Sequence, residues 1–185
     1  MFSLDRTTLR NGTNNDQVSG ISDIQPLVIN GDRFVYVTSK ANGLITAYEV
    51  NTSSSLVFRD QIQFTGAGTP SGLTFLELDG DIIAVPVGNS TSGFDTFQIT
   101  STGGFSAPTN TFGVAAQNGN FLAATSFEIN GATFVYGSQS DDDGVIGYRL
   151  QADGTLGVLG QDQIENADQA NDARDFQTTT IDSRD

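Results

Sequence analysis

The stretch INGDRFVYV, residues 29–37, returns one hundred residues later as INGATFVYG, residues 129–137. A related phrase, LELDGDIIAV, occupies residues 76–85. Each copy places an Asn-Gly or Asp-Gly pair between two apolar runs, with the turn glycines at Gly31, Gly80 and Gly131. Such a pair predicts a β-hairpin, because a type I′ turn needs positive φ at both central residues. The chain therefore contains a tandem repeat of about 50 residues.

Each repeat is predicted to contain four short strands, which in the first copy cover about residues 25–30, 33–39, 44–50 and 56–63. The connecting segments are short and rich in Gly, Asn, Asp and Ser, as turns require. The second copy departs from the pattern. Pro86 falls in its second strand, and Gly103, Gly104 and Pro108 weaken its fourth. A proline inside a strand indicates a sheet edge or a bulge.

The predicted fold class is all-β, since no segment of ten or more residues has the periodicity of a helix. Four-stranded units repeated in tandem are typical of a β-propeller, and apolar side chains on both faces of residues 34–37 fit a strand packed between two sheets. A β-sandwich is the alternative, which the repeat length disfavours. We predict a β-propeller fragment of about three to three and a half four-stranded antiparallel blades. Its expected parts are an N-terminal segment, residues 1–23; blade 1, residues 24–66; blade 2, residues 73–119; blade 3, residues 124–170; and the start of a truncated fourth blade, residues 176–185.

Two interpretations account for a ring that three repeats do not close. In the first, the 185 residues are a fragment of a longer protein, and residues 3–10 supply the outer strand of a preceding blade. In the second, the chain is an open stack of three blades that must oligomerise. The first interpretation is preferred, because it explains why the fourth repeat, FQTTTIDSRD, stops within its first hairpin.

Composition excludes several classes of function. The formal net charge is -14, which opposes binding to nucleic acid and to anionic membranes. The chain has no cysteine and no histidine, so a disulfide, a Ser-His-Asp triad and the usual zinc ligand sets are all excluded. No signal peptide and no membrane-spanning run is present within these residues, and insertion into a membrane is not expected.

Three adjacent carboxylates, Asp141, Asp142 and Asp143, precede Gly144 in the sequence SDDDGVIGY. If Gly144 were the sixth position of an EF-hand loop, the first and twelfth positions would be Gln139 and Leu150, which are not the required ligands. The preferred interpretation is a polar hairpin tip. A loose surface Ca²⁺ site on the three aspartates is the alternative, and no other metal or cofactor is expected in this chain.

Paired carboxylates could serve a glycosidase, and Glu49, Glu77 and Glu128 are the candidates. Glu77 and Glu128 hold the same position in their repeats, so they are expected to reflect the fold rather than a reaction. No catalytic residue is therefore assigned. The Gly-rich segments lack the lysine and the following helix of a phosphate-binding loop.

The segment FVYGSQSDDDGVIGYRLQADGTLGVLGQDQI, residues 134–164, resembles a blade of seven-bladed lactonase-type propellers. It also resembles the repeats of large secreted RTX-type calcium-binding proteins of marine alphaproteobacteria. The second resemblance implies a non-enzymatic scaffold or recognition segment of an exported acidic bacterial protein, binding a protein or glycan partner and the remaining blades of its parent chain. It implies export by a signal outside this chain, with a cytoplasmic location left open. The first resemblance implies a lactonase-like hydrolase.

Overall fold

The computed structural model describes residues 19–64, 69–78, 80–90, 94–112, 119–139, 144–151 and 156–163. Within these ranges the chain forms strands and turns and no helix, which confirms the all-β class. Twelve strands follow one another in the order β1 (Ile21–Ile29), β2 (Asp32–Ser39), β3 (Leu44–Val50), β4 (Leu56–Gln63), β5 (Pro70–Leu78), β6 (Asp81–Ser90), β7 (Phe94–Ile99), β8 (Phe105–Phe112), β9 (Gly119–Ile129), β10 (Ala132–Gln139), β11 (Gly144–Leu150) and β12 (Leu156–Gln163).

The strands form three antiparallel four-stranded meanders, β1–β4, β5–β8 and β9–β12, here called blades 1, 2 and 3. Within each blade, every strand pairs with the next strand along the chain, as short turns require. Blades 2 and 3 are also joined at one edge, where Asn89 and Ser90 of β6 pair with Asn120 and Gly119 of β9. This joint between β6 and β9 was not expected from the sequence.

The first hairpins of blades 1 and 3 have the turn that the sequence predicts. Asn30 and Gly31 have φ angles of 53° and 90°, and Asn130 and Gly131 have φ angles of 51° and 74°. Positive φ at both central positions defines a type I′ turn, which matches the twist of the flanking strands. Asparagine tolerates this left-handed backbone better than most residues that carry a Cβ.

Blades 1 and 3 share one register. Strands β2, β3 and β4 begin and end one hundred residues before β10, β11 and β12. Val35 pairs with Tyr48 as Val135 pairs with Tyr148, and both blades shift register immediately before that tyrosine. The sequence DQI occurs in both blades, at residues 60–62 and 162–164. It does not follow the offset of one hundred residues, because Asp60 opposes Ala47 whereas Asp162 opposes Val145. The motif is therefore displaced by two residues in the outer strand of blade 3.

Two prolines of blade 2 lie inside strands. Pro86 pairs with Leu73 of β5, whereas the pairs between β6 and β7 in the described residues involve Ile82, Ile83 and Ala84 and do not include it. Pro108 lies in β8, which is the end strand of its sheet. Both positions follow from the missing amide hydrogen of proline. Gly103 and Gly104 do not weaken the fourth strand from within, because they lie in the turn before β8.

The core consists of two apolar layers between successive blades. The layer between blades 1 and 2 contains Ile29, Phe34, Tyr36, Ile45, Ala47, Leu73, Ala84, Phe97 and Ile99. The layer between blades 2 and 3 contains Leu76, Val85, Val87, Val135, Ile146 and Tyr148. Because alternate side chains of β5 and β6 enter different layers, blade 2 has an apolar surface on both faces.

Two predicted parts, the N-terminal outer strand at residues 3–10 and the start of a fourth blade at residues 176–185, lie outside the described residues. The blade limits given above therefore stay predictions.

Candidate functional site

Side-chain hydrogen bonds link blade 1 to blade 2, and we call the region between these two blades the first seam. Tyr36 lies at its centre. Its ring makes edge-to-face contacts with Phe75 and Phe105, at centroid distances of 5.1 Å and 5.8 Å. Its hydroxyl donates a hydrogen bond of 3.0 Å to the carbonyl oxygen of Gly103. Burial raises the pKa of Tyr36 well above its ordinary value, so the phenol stays protonated and remains a donor.

Gly103 allows this contact. Its φ is 79°, and a Cβ at this position would lie 2.2 Å from Cε1 of Phe34. Neither the backbone angle nor the space would accept a side chain without rearrangement. The turn glycine therefore lets the end of β7 approach the aromatic side chains of β2 closely.

Two carboxylates of blade 1 also cross the first seam. Oδ2 of Asp23 accepts a hydrogen bond of 2.9 Å from the amide of Leu73, and Oδ2 of Asp60 accepts one of 2.9 Å from the amide of Phe105. The first contact ties β1 to β5, and the second ties β4 to the start of β8. An ionised acceptor strengthens a hydrogen bond to a backbone amide. These carboxylates hold two blades together at the inner and the outer strands.

Hydroxyl groups of the inner strands make the same kind of link. The hydroxyl of Ser22 donates to the carbonyl oxygen of Pro70 at 2.7 Å. The hydroxyl of Ser126 donates to the carbonyl oxygen of Phe75 at 2.5 Å. Successive inner strands β1, β5 and β9 are therefore cross-linked by side chains that bind backbone groups of the neighbouring blade.

The seam between blades 2 and 3 also buries a tyrosine. Tyr148 is fully buried there with Val135 and Ile146. Burial raises the pKa of Tyr148 to about 12. In the same place on blade 1, Tyr48 is 3% exposed. The tyrosine that ends the register shift is thus a buried packing residue in both blades.

The predicted calcium ligands Asp141, Asp142 and Asp143 lie outside the described residues. Within the described ranges, no group of three or more Asp, Glu, His or Cys side chains is placed so that it could hold a metal ion. Those ranges also contain no helix long and apolar enough to span a lipid bilayer.

The three glutamates considered for catalysis occupy separate local settings. Glu49 forms an ion pair with Arg59 of the adjacent strand. Glu77 and Glu128 are exposed at the end of the first strand of their blades. Asp23 and Asp60, whose carboxylates bind backbone amides of the next blade, were not singled out from the sequence. For Asp60 a signal existed, because it begins the repeated DQI.

No family model and no curated protein matches the chain. Solved structures do match. A putative 6-phosphogluconolactonase from Bacteroides fragilis is similar over 73% of this chain and 41% of its own, with 22% identity and a TM-score of 0.53. An engineered GH43 glycoside hydrolase with endo-xylanase and exo-arabinofuranosidase activity is similar over 82% of this chain and 30% of its own, with 15% identity and a TM-score of 0.52. A thermostable family-43 glycoside hydrolase is similar over 80% of this chain and 55% of its own, with 12% identity and a TM-score of 0.55.

These neighbours have β-propeller folds. The chain is part of a β-propeller. Its three blades span between 30% and 55% of the length of the three neighbours, so it corresponds to a portion of each. At these identities the likeness establishes the fold and carries no residue role.

Proposed function

We propose that this chain is a scaffold or recognition segment of a larger, exported, acidic bacterial propeller protein of the RTX type, and that it is not itself a catalyst. One observation carries the proposal. In the first seam, Tyr36, Asp23 and Asp60 direct their polar atoms to backbone groups of the next blade. These residues thus act in holding the blades together. Turns and loops at the ends of the blades are then available to a protein or glycan partner.

Charge supports this proposal. With a net charge of -14, the segment repels nucleic acid and anionic lipid, and a neutral glycan or a basic protein surface suits it better. The proposed location outside the cell is compatible with the absence of cysteine, because the seams are held by packing and hydrogen bonds. The proposed partner and the proposed location outside the cell both refer to the intact parent protein.

The alternative is a lactonase-like hydrolase, and the similarity to a putative 6-phosphogluconolactonase favours it specifically. The two functions are distinguished by measuring hydrolysis of a sugar-acid δ-lactone by the intact protein. We expect no turnover above the uncatalysed rate. Turnover that falls at least tenfold in Glu77→Gln or Glu128→Gln would overturn the scaffold proposal. Asp32→Gln, at an exposed position in β2, serves as the control for a lost surface carboxylate.

A surface Ca²⁺ site on Asp141, Asp142 and Asp143 is proposed only as an accessory of this scaffold. Thermal unfolding with Ca²⁺ and with a chelator tests it. A site that binds only the folded chain raises the melting temperature by mass action. Equal melting temperatures, or a Ca²⁺ shift that persists in the triple Asp→Asn variant, would remove the site.

A further inference from the structure

The turn between β3 and β4 contains an Asn-Thr-Ser sequence at residues 51–53. This is the Asn-x-Ser/Thr pattern that accepts N-linked sugars, with no proline in the middle. The pattern occurs twice more in the chain, at Asn11 and at Asn89. Asn11 lies outside the described residues, and Asn89 lies in β6, where it pairs with Asn120 of β9. Among the described residues, the pattern therefore lies on a turn at Asn51 alone.

The side chain of Asn51 has one polar atom engaged and the other free. Its Oδ1 accepts hydrogen bonds from the amide of Ser53 at 3.0 Å, from the amide of Ser55 at 2.8 Å and from the hydroxyl of Ser53 at 2.8 Å. Backbone amides can only donate, so the atom that they contact is the oxygen and not the nitrogen. Within the described part of the chain, Nδ2 of Asn51 has no hydrogen-bond partner.

The fold does not need an amide side chain at this position. The turn between β7 and β8 has the same hydrogen-bond pattern, with Thr100 in the place of Asn51. The amides of residues 51 and 100 donate to the carbonyl oxygens of residues 55 and 104, at 3.0 Å and 2.9 Å. The hydroxyl of Thr100 accepts from the amide of Gly104 at 3.0 Å, which is the counterpart of the bond from Ser55 to Oδ1. An oxygen acceptor is therefore enough to hold such a turn, and Nδ2 of Asn51 has no part in it.

We propose that Asn51 is a site of N-linked glycosylation, with a sugar carried on a diphosphate as the donor. In this reaction Nδ2 attacks the anomeric carbon of the sugar and forms a carbon–nitrogen bond. The bond from the anomeric carbon to the diphosphate oxygen breaks, and the diphosphate leaves with the electron pair. Nδ2 loses one proton to a base of the transferase, and nothing is oxidised or reduced. This chain supplies the acceptor, and a separate glycosyltransferase supplies the base.

The three hydrogen bonds to Oδ1 favour this reaction. An amide nitrogen is a poor nucleophile, because its lone pair is shared with the carbonyl group. Removal of a proton from Nδ2 makes the nitrogen nucleophilic and moves negative charge onto Oδ1. Donors that point at an oxygen where charge develops stabilise that charge, as they do in an oxyanion hole. The two amides and the hydroxyl around Oδ1 therefore lower the cost of activating Asn51.

The turn is accessible to an enzyme. Residues 52–54 are exposed and Asn51 is half-buried. None of residues 51–55 belongs to either of the two apolar layers formed by the described residues, so a sugar on Asn51 leaves both layers intact. The inference concerns covalent modification of a turn, and it does not depend on whether the assembled propeller binds a partner or hydrolyses a substrate.

Transfer of glucose to the folded chain tests the inference. The protein is incubated with uridine diphosphate glucose and a soluble N-glycosyltransferase, and is then digested with trypsin, which cuts after Lys40 and Arg59. The resulting peptide, residues 41–59, contains Asn51 and no other Asn-x-Ser/Thr sequence. We expect this peptide to gain the mass of one hexose, located on Asn51 by fragmentation. No gain in the folded chain would overturn the proposal, even if the synthetic peptide 41–59 accepted glucose.

Three variants separate the proposed chemistry from the fold. Asn51→Thr keeps an oxygen acceptor, as Thr100 does in blade 2, so it should abolish the transfer and leave the melting temperature almost unchanged. Ser53→Ala removes the hydroxyl donor and should lower the rate of transfer about tenfold or more, whereas Ser53→Thr keeps the hydroxyl and should retain the rate. Equal rates in Ser53→Ala and the unmodified chain would overturn the proposal. Transfer to Asn89 of the folded chain as fast as to Asn51 would also overturn it, because the turn would then confer no advantage.

Discussion

Replacing Tyr36 with phenylalanine removes one oxygen atom from the middle of the first seam. The ring contacts with Phe75 and Phe105 stay, because phenylalanine keeps the aromatic edge and face. What is lost is the hydrogen bond of 3.0 Å from the hydroxyl to the carbonyl oxygen of Gly103. The substitution therefore isolates a single polar contact between two blades.

The expected loss follows from burial. Tyr36 is 0% exposed and Gly103 is also buried, so the carbonyl oxygen would be left without its donor and away from water. An unsatisfied buried acceptor costs about 1–3 kcal/mol. We expect Tyr36→Phe to lower the free energy of unfolding by about 1–2 kcal/mol, which for a chain of this size lowers the melting temperature by about 3–6 °C.

Tyr136→Phe is the matched control, because Tyr136 is half-buried and no hydrogen bond joins its hydroxyl to another described residue. We expect its effect to stay within about 0.5 kcal/mol. Both variants are measured by urea unfolding followed by circular dichroism of the sheet, since the chain has no tryptophan. Equal losses in the two variants would refute the reasoning, because the seam contact of Tyr36 would then stabilise the fold no more than the hydroxyl of Tyr136 does.

Three further predictions use the same assay or its pH dependence. Gly103→Ala should lower the free energy of unfolding by about 2–4 kcal/mol, since the new Cβ meets the Phe34 ring and the backbone has positive φ. Gly131→Ala also has positive φ but nothing within 4 Å of its Cβ, so it should cost only about 1 kcal/mol, and equal costs would exclude the ring contact as the cause. Asp60→Asn should cost about 1–2 kcal/mol, because the amides of Phe105 and Gln61 donate to different oxygens of Asp60 and asparagine replaces one of these acceptors with an NH2 group. Asp32→Asn at the surface should have almost no effect. Finally, burial raises the pKa of Tyr148 to about 12 from about 10 in the unfolded chain. The free energy of unfolding should therefore be unchanged up to about pH 10 and fall as the pH approaches 12. Reversible ionisation of all four tyrosines near pH 10, measured by absorbance at 295 nm while the sheets are intact, would contradict this prediction.

The strands of blade 1 were predictable because its hairpin signal is strong and local. Asn30 and Gly31 fix the turn, the turn fixes the register, and the apolar alternation of residues 34–37 then fixes which side chains are buried. The predicted start of β3 at residue 44 and its end at residue 50 agree with the structure. Local rules were sufficient wherever adjacent strands were joined by short turns.

The contacts between blades were not predictable by such rules. Gly103 was interpreted as a residue that weakens a strand, yet its carbonyl oxygen accepts a hydrogen bond from Tyr36, and the absence of a side chain makes room for the ring of Phe34. The displacement of DQI by two residues, which lies within the blades, was not predictable for a different reason. A two-residue shift keeps every side chain on its face, so the apolar pattern cannot distinguish the two registers.

The agreement in register between blades 1 and 3 has a consequence for how the chain folds. Corresponding strands of the two blades pair in the same register, so we expect the two blades to compete for one another's strands during folding. Blade 2 separates them, and its prolines and its different turns make it a poor substitute for either. We therefore expect divergence between neighbouring repeats to protect the chain from strand exchange. A variant in which blade 2 carries the blade 1 sequence should refold with more misassembled species.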